Sequence, residues 1–283
     1  RDTDRSRGLG DVYKRQPKND MDRPNNRPLY LGFASQKGGV GKSTLAEVLA
    51  SILYYEKDIP LVVVDCDGTQ ESFFKLRERD RDLIGTSPDI GKALHERLAQ
   101  YGKKSYQIIR SNLEQAISNT EQYLSKAPIA PQLVIFDFPG HVATSAMMEL
   151  SIMMDYIISP IEADPQSLAS SFAYAKTIQE LGVGFAESQI QDLFLLWNKV
   201  NRSASTMVIE LFSQHAQEQG LKILDTRIYH SVRFSRELAQ GGVKGVFRCS
   251  YLPPATTLRP QTGVDEWVEE VIQKLGLQKG TSL

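Results

Sequence analysis

The chain has 283 residues, 41% of them hydrophobic and 24% charged, with a formal net charge of −1. That length and balance suit one large α/β domain and leave any nucleic-acid binding to a local patch rather than to overall charge. The only two cysteines, Cys66 and Cys249, are far apart, which excludes a disulfide scaffold; no apolar stretch reaches the length of a membrane span and no secretory signal is visible, so a cytoplasmic protein is expected.

At the amino end, residues 6–16 (SRGLGDVYKRQ) read as the translation of a transposase-based sequencing adapter, with a natural basic tail as the alternative. Residues 1–20 are therefore set aside as a non-native or disordered leader and residues 21–283, from Met21, as the folded domain. Nothing basic in the leader is read as a DNA-binding arm, and no DNA-reading domain is expected before the first strand. That strand is the apolar run at 29–34 (LYLGFA). Lys-Gly-Gly-Val-Gly-Lys-Ser-Thr follows at 37–44, and then a helical pattern over 44–55. Strand, glycine-rich loop and helix in this order make a phosphate-binding loop. Gly38, Gly39, Val40, Gly41 and Thr44 offer backbone N–H groups that curl around phosphate oxygens at the positive end of the helix dipole. Lys42 is expected to reach the β- and γ-phosphates and Ser43 to ligate Mg²⁺. Gln36 stands where the plain pattern has its first glycine, and Lys37 is an additional lysine.

Short β-branched runs recur at 60–65, 132–137, 156–161 and 193–197, with helical stretches at 166–181 and 204–219. Strands alternating with helices predict a doubly wound, mostly parallel sheet with helices on both faces, a single-domain P-loop NTPase fold, its ligand at the carboxyl ends of the strands. Between 85 and 131 the pattern is weaker: a helix over about 90–101 capped by Asp89, a short strand at 106–109 and a helix at 113–126. The charged run at 75–83 (KLRERDRDL) reads as a solvated helix, with contact to a stimulating partner as the alternative.

The two-lysine loop resembles that of the ParA/MinD family of ATPases, and the likeness extends over residues 29–275. It implies that Lys37 reaches across an ATP-dependent homodimer to the partner's nucleotide, offsetting the charge of two sandwiched ATP molecules. Asp67, in VVVDCDGTQES, matches the family aspartate that orients the attacking water, although Gly68-Thr69 replaces the usual Pro-Gln. Asp65 is read as structural or as an outer partner of the metal. Asp137, ending LVIFD, resembles the Walker B aspartate that holds Mg²⁺ through water. Gly140 completes D-x-x-G, so that its N–H approaches the γ-phosphate and 138–145 forms a second switch; His141 is either catalytic or an ordinary loop residue. Asn198 is expected beside the adenine. Asn201 lacks the carboxylate that pairs with guanine, so ATP is favoured over GTP.

The segment 227–240 (RIYHSVRFSRELAQ) resembles the family stretch that leads from the nucleotide to the DNA-binding surface. Arg227, Arg233, Arg236, Lys244 and Arg248 are candidates for sequence-independent DNA binding, or else scattered members of ion pairs. The final helix, about 264–275, turns Trp267, Val271 and Leu275 inward at i, i+4, i+8; its acidic polar face argues against a membrane anchor. The resemblance implies a Mg²⁺-dependent ATPase of plasmid or chromosome partition, with a centromere-binding or stimulating partner protein. The alternatives are a conjugative-element ATPase that positions or regulates a protein cargo without DNA, and a GTP-dependent switch.

Overall fold

The computed structural model describes residues 27–68, 72–140, 144–185, 188–203 and 206–279. The leader with Met21, Thr69 of the first switch, His141 of the second and the start of the helix read from 204 lie outside the described residues. Seven strands form one sheet: β1 (Leu29–Phe33), β2 (Leu61–Asp65), β3 (Gln107–Arg110), β4 (Leu133–Asp137), β5 (Tyr156–Ile161), β6 (Asp192–Val200) and β7 (Lys222–Tyr229). Their order is β3-β2-β4-β1-β5-β6-β7, and every pairing is parallel.

β1, β2, β4 and β5 are buried along their whole length, which explains why they read as continuous apolar runs rather than as alternating ones. Leaving β1 the chain runs to β2 on one side, whereas leaving β4 it crosses β1 to reach β5 on the other. The loops after β1, β2 and β4 therefore converge at the carboxyl edge, where such sheets open a crevice.

Helices cover both faces. α1 (Lys42–Tyr55) and α9 (Val264–Leu275) pack on one, where Leu31, Phe33, Leu49, Trp267, Val271 and Leu275 share a core. Trp267 meets Phe33 edge-to-face at 6.3 Å. Burying side chains of this size contributes roughly 1.5–3 kcal/mol each. α5 (Ser145–Ile152) and α6 (Pro165–Gly184) cover the other face, over Val134, Phe136 and Ile157. α7 (Met207–Glu218) closes the β6–β7 end.

The charged run lies in α2 (Ser72–Thr86), and the weakly patterned region after it holds α3 (Pro88–Tyr101) and α4 (Ala116–Leu124), with β3 between these two. One expectation needs correcting. Ser87, not Asp89, occupies the N-cap of α3; Pro88 opens the helix, and Asp89 lies inside the first turn, where its charge still favours the helix dipole. α2 is also less solvated than its charges imply. Phe73, Leu76 and Asp80 are buried, and Arg77 inserts between the rings of Tyr106 and Tyr251. After β7 come a short 3₁₀ turn (Val232–Ser235) and α8 (Leu238–Gly245), which is broken at Gly242. Among the described residues no helix is long and apolar enough to cross a membrane.

Candidate functional site

The loop between β1 and α1 has the backbone its glycines were expected to permit. Gly39 and Gly41 sit at φ +78° and +93°, the left-handed region that side chains disfavour. A Cβ at Gly41 would lie 2.5 Å from Asn198 Nδ2, and one at Gly38 would lie 3.2 Å from the Gly140 carbonyl oxygen. The glycines thus serve close approach as well as dihedral freedom. Asn198 Nδ2 donates to the Val40 carbonyl at 2.7 Å. Lys199, itself at φ 54°, donates to the Gly39 carbonyl at 2.5 Å and pairs with Glu162 at 2.8 Å. The end of β6 therefore clamps the loop from outside. No local sequence feature marks Lys199 for this contact.

Inside the loop lies a cavity of about 260 Å³ whose lining includes Gly38, Lys42, Ser43, Asp67, Phe138 and Gly140. Lys42 is only 5% exposed. Burial pulls its ammonium pKa down, while Asp137 and Asp67 act against this. Gly140 belongs to the same cradle, since a Cβ there would stand 3.5 Å from Lys42 Nζ. Larger cavities exist, one of about 720 Å³ near Pro60 and Gly276, but that one lies at the opposite, amino edge of the sheet and carries none of this chemistry.

Asp137 ends β4 and is fully enclosed. Burial pushes its carboxyl well above the usual range, the Ser43 hydroxyl bonded to it pulls the other way, and Asp65 and Glu47 nearby push it further up. Its Oδ1 is buried without a hydrogen-bond partner. An unpaired carboxylate oxygen facing a serine at a phosphate loop is the donor set that a hydrated Mg²⁺ uses, with phosphate oxygens and water completing the shell. The residues present fit the metal. Asp67, at the lip of the same cavity, is 7% exposed.

Asp65 takes the structural role. Its Oδ2 accepts from the backbone N–H groups of Phe73 and Phe74 at 3.0 and 3.1 Å, and its Oδ1 accepts more weakly from that of Asp67 at 3.3 Å. It caps α2 and fixes the turn carrying Asp67. Lys37 points outward instead, half-exposed, with its Nζ 3.1 Å from Asp164.

The five basic candidates between 227 and 248 are not all free: two are engaged within the protein, Arg248 in line with the ion-pair alternative. Arg248 turns inward onto the buried Glu47 at 2.7 Å. Arg233 donates to the carbonyls of Leu258 and Pro260 at 3.1 and 2.8 Å, tying down the loop before α9. Arg227 is half-buried on β7, and Arg236 and Lys244 are exposed. Two lining residues of the loop cavity, Arg248 and Ser72, were not among the residues the sequence singled out for it. The available signal was Glu47, a lone acid in the apolar helix TLAEVLASIL, which had to find a buried cation.

A family model described as the CobQ/CobB/MinD/ParA nucleotide binding domain matches residues 31–243. Among solved structures, a variant of Cyanothece McdA in complex with ATP is 17% identical over 91% of this chain and 100% of its own, with a TM-score of 0.56. The MinC:MinD cell division protein complex of Aquifex aeolicus is 12% identical over 90% and 98%, with a TM-score of 0.54. The septum site-determining protein MinD of Pyrococcus horikoshii, complexed with Mg-ADP, is 16% identical over 90% and 100%, with a TM-score of 0.51. At these identities the structures establish a shared fold. No curated protein matches the chain.

Proposed function

Since this chain belongs to the CobQ/CobB/MinD/ParA nucleotide-binding family, we propose that it is a Mg²⁺-dependent ATPase that dimerises on ATP and serves the partition or positioning of a plasmid, chromosome or mobile element. The observation that carries the ATPase reading is the grouping around one cavity of buried Lys42, half-buried Ser43 and, at the end of β4, a buried Asp137 oxygen left unpaired among the protein's own atoms. Burying such groups is costly unless a ligand satisfies them. Lys42 would hold the β- and γ-phosphates, and Ser43 and Asp137 the Mg²⁺ with its water. Bound Mg²⁺ supplies neutralisation of the charge that develops on the phosphate oxygens. Asp67 would align the attacking water and accept its proton late, on a turn held by Asp65. The Gly140 N–H would face the γ-phosphate.

The outward direction of Lys37 supports a role in trans, because its ammonium lies on the surface rather than over its own loop. Two bound triphosphates meeting at an interface bring much negative charge together, and a cation from each subunit offsets it. Asn198 holds the loop in place beside the position proposed for the adenine, and Asn201 keeps the preference for ATP.

For the role downstream, exposed Arg236 and Lys244, with half-buried Arg227 on β7, remain the candidates for nonspecific DNA contact. The inward turn of Arg248 and Arg233 favours a second reading, in which the cargo is a protein and DNA is not bound. Either role leaves room for a partner protein that stimulates hydrolysis. The test is duplex DNA binding by the full chain and by the chain from Met21, with ATP–Mg²⁺, ADP–Mg²⁺ and no nucleotide, across a salt series. Binding that needs ATP and weakens with salt supports partition on DNA. Intact ATP turnover with no DNA binding in any state moves the assignment to the protein-cargo reading.

A further inference from the structure

Glu47 is 1% exposed and lies one turn after Ser43 on α1, on the same side of the helix. Arg248 answers it with a fork: Nε donates to Oε2 at 2.7 Å and Nη2 to Oε1 at 3.0 Å. That arrangement commits one edge of the guanidinium and leaves Nη1 on the other. Nη1 has Glu237 Oε1 at 3.5 Å, too far for a strong hydrogen bond. Glu237 is meanwhile held by Arg79 of α2, at 3.1 and 3.2 Å. Arg248 also lines two adjoining spaces: the phosphate cavity, with Lys42, Ser43 and Asp67, and a charged cavity of about 540 Å³ bordered by Ser72, Lys75 and Arg79.

We propose that Arg248 reads the phosphate end of the nucleotide: with a nucleoside triphosphate bound, its Nη1 leaves Glu237 for a terminal phosphate oxygen while Glu47 keeps the other edge. The inference rests on the reading of the cavity as a triphosphate site. The exchange leaves no charge stranded. Glu47 retains its fork, Glu237 retains Arg79, and the phosphate gains a cation from the cavity wall. It also has a route outward. Glu237 caps α8, and α2 is stitched to the strand-like stretch beyond α8 by Asp80, whose carboxylate accepts from Ser250 N and Oγ at 2.9 and 3.0 Å. A change in what Arg248 holds is therefore felt at the start of α8, between exposed Arg236 and Lys244.

The experiment is equilibrium binding of fluorescent ATP and ADP analogues, with Mg²⁺, to the full chain, to Arg248→Gln and to the paired variant Glu47→Gln/Arg248→Met. The pair removes the buried acid together with its cation, so it keeps the fold where the single variant does not; the thermal unfolding transition checks this. The expected result is a loss of roughly tenfold in affinity for ATP relative to ADP, the scale of one charge-assisted hydrogen bond. A folded variant with the wild-type ATP-to-ADP ratio, or one that loses both nucleotides equally, overturns the proposal and leaves Arg248 a brace for Glu47. If the wild-type chain binds neither nucleotide, the triphosphate reading falls and this inference with it. If it binds both and the ratio is unmoved, only this inference falls.

Discussion

Lys37 and Lys42 belong to one short loop, yet the structure gives them opposite environments. Lys42 is almost wholly buried beside Asp137 and Asp67, whereas the Lys37 side chain is 40% exposed. Removing them should therefore fail at different steps. Lys42→Ala should lower nucleotide affinity by ten- to a hundredfold, as expected when charge-assisted bonds to phosphate are lost. Lys37→Ala should bind ATP about as well as the wild type and fail to dimerise on it; sedimentation of this variant as a normal ATP-dependent dimer would rule out the role in trans. Asp137 differs again. An enclosed carboxyl with an unpaired oxygen destabilises the nucleotide-free protein, so Asp137→Asn should raise the unfolding temperature without nucleotide and abolish the extra stabilisation that Mg²⁺ adds to ATP. A thermal shift series with and without Mg²⁺ checks both halves.

The elements that hold these residues work through backbone geometry as much as through side chains. Gly41 begins α1 at φ 93°, with Asn198 Nδ2 where a Cβ would go. Gly41→Ala should cost about 1–3 kcal/mol of stability from the strained dihedral alone, and should also push Asn198 off the Val40 carbonyl. An unchanged unfolding midpoint would mean that the loop relaxes freely. Asp65 acts on α2 in the way a capping residue does, with two backbone donors from the first turn. Asp65→Ala should cost about 0.5–2 kcal/mol, and Asp65→Asn less, because the amide oxygen still accepts. Equal losses in the two variants would show that charge, rather than capping, is what matters there. The sequence placed α1 well, since glycine, lysine and an apolar period coincide there. It did not reveal that α2 is pinned by Arg77 and Asp80, because mixed charges on a helix look the same whether they face water or a neighbouring segment.

Across the whole molecule, Glu47, Asp65, Asp80 and Asp137 all have carboxyl pKa values raised by burial. A raised native pKa means that the folded state binds the proton more tightly than the unfolded chain. The stability these groups contribute is thus complete below the ordinary carboxylate pKa of about 4 and is lost as pH rises through the raised native values. The stabilisation added by Mg²⁺–ATP should accordingly grow over that rise, as ionised Asp137 gains its metal. Unfolding midpoints against pH, with and without Mg²⁺–ATP, test this, and a ligand-induced shift that shrinks with rising pH would contradict it. The same four acids mark the boundary of what the chain's sequence discloses. Alternation of strand and helix, the parallel sheet and the glycine-rich loop were legible in the residues alone, because buried strands must be apolar and a tight turn needs glycine, each a local demand on residue type. It took the three-dimensional packing to show that Asp65 caps α2, that Lys199 clamps the loop, and that Arg248 turns from the basic run into the loop cavity. A charged side chain's role is fixed by the partner it meets, and Arg248 finds Glu47 across some two hundred positions of chain, a separation at which no local pattern operates.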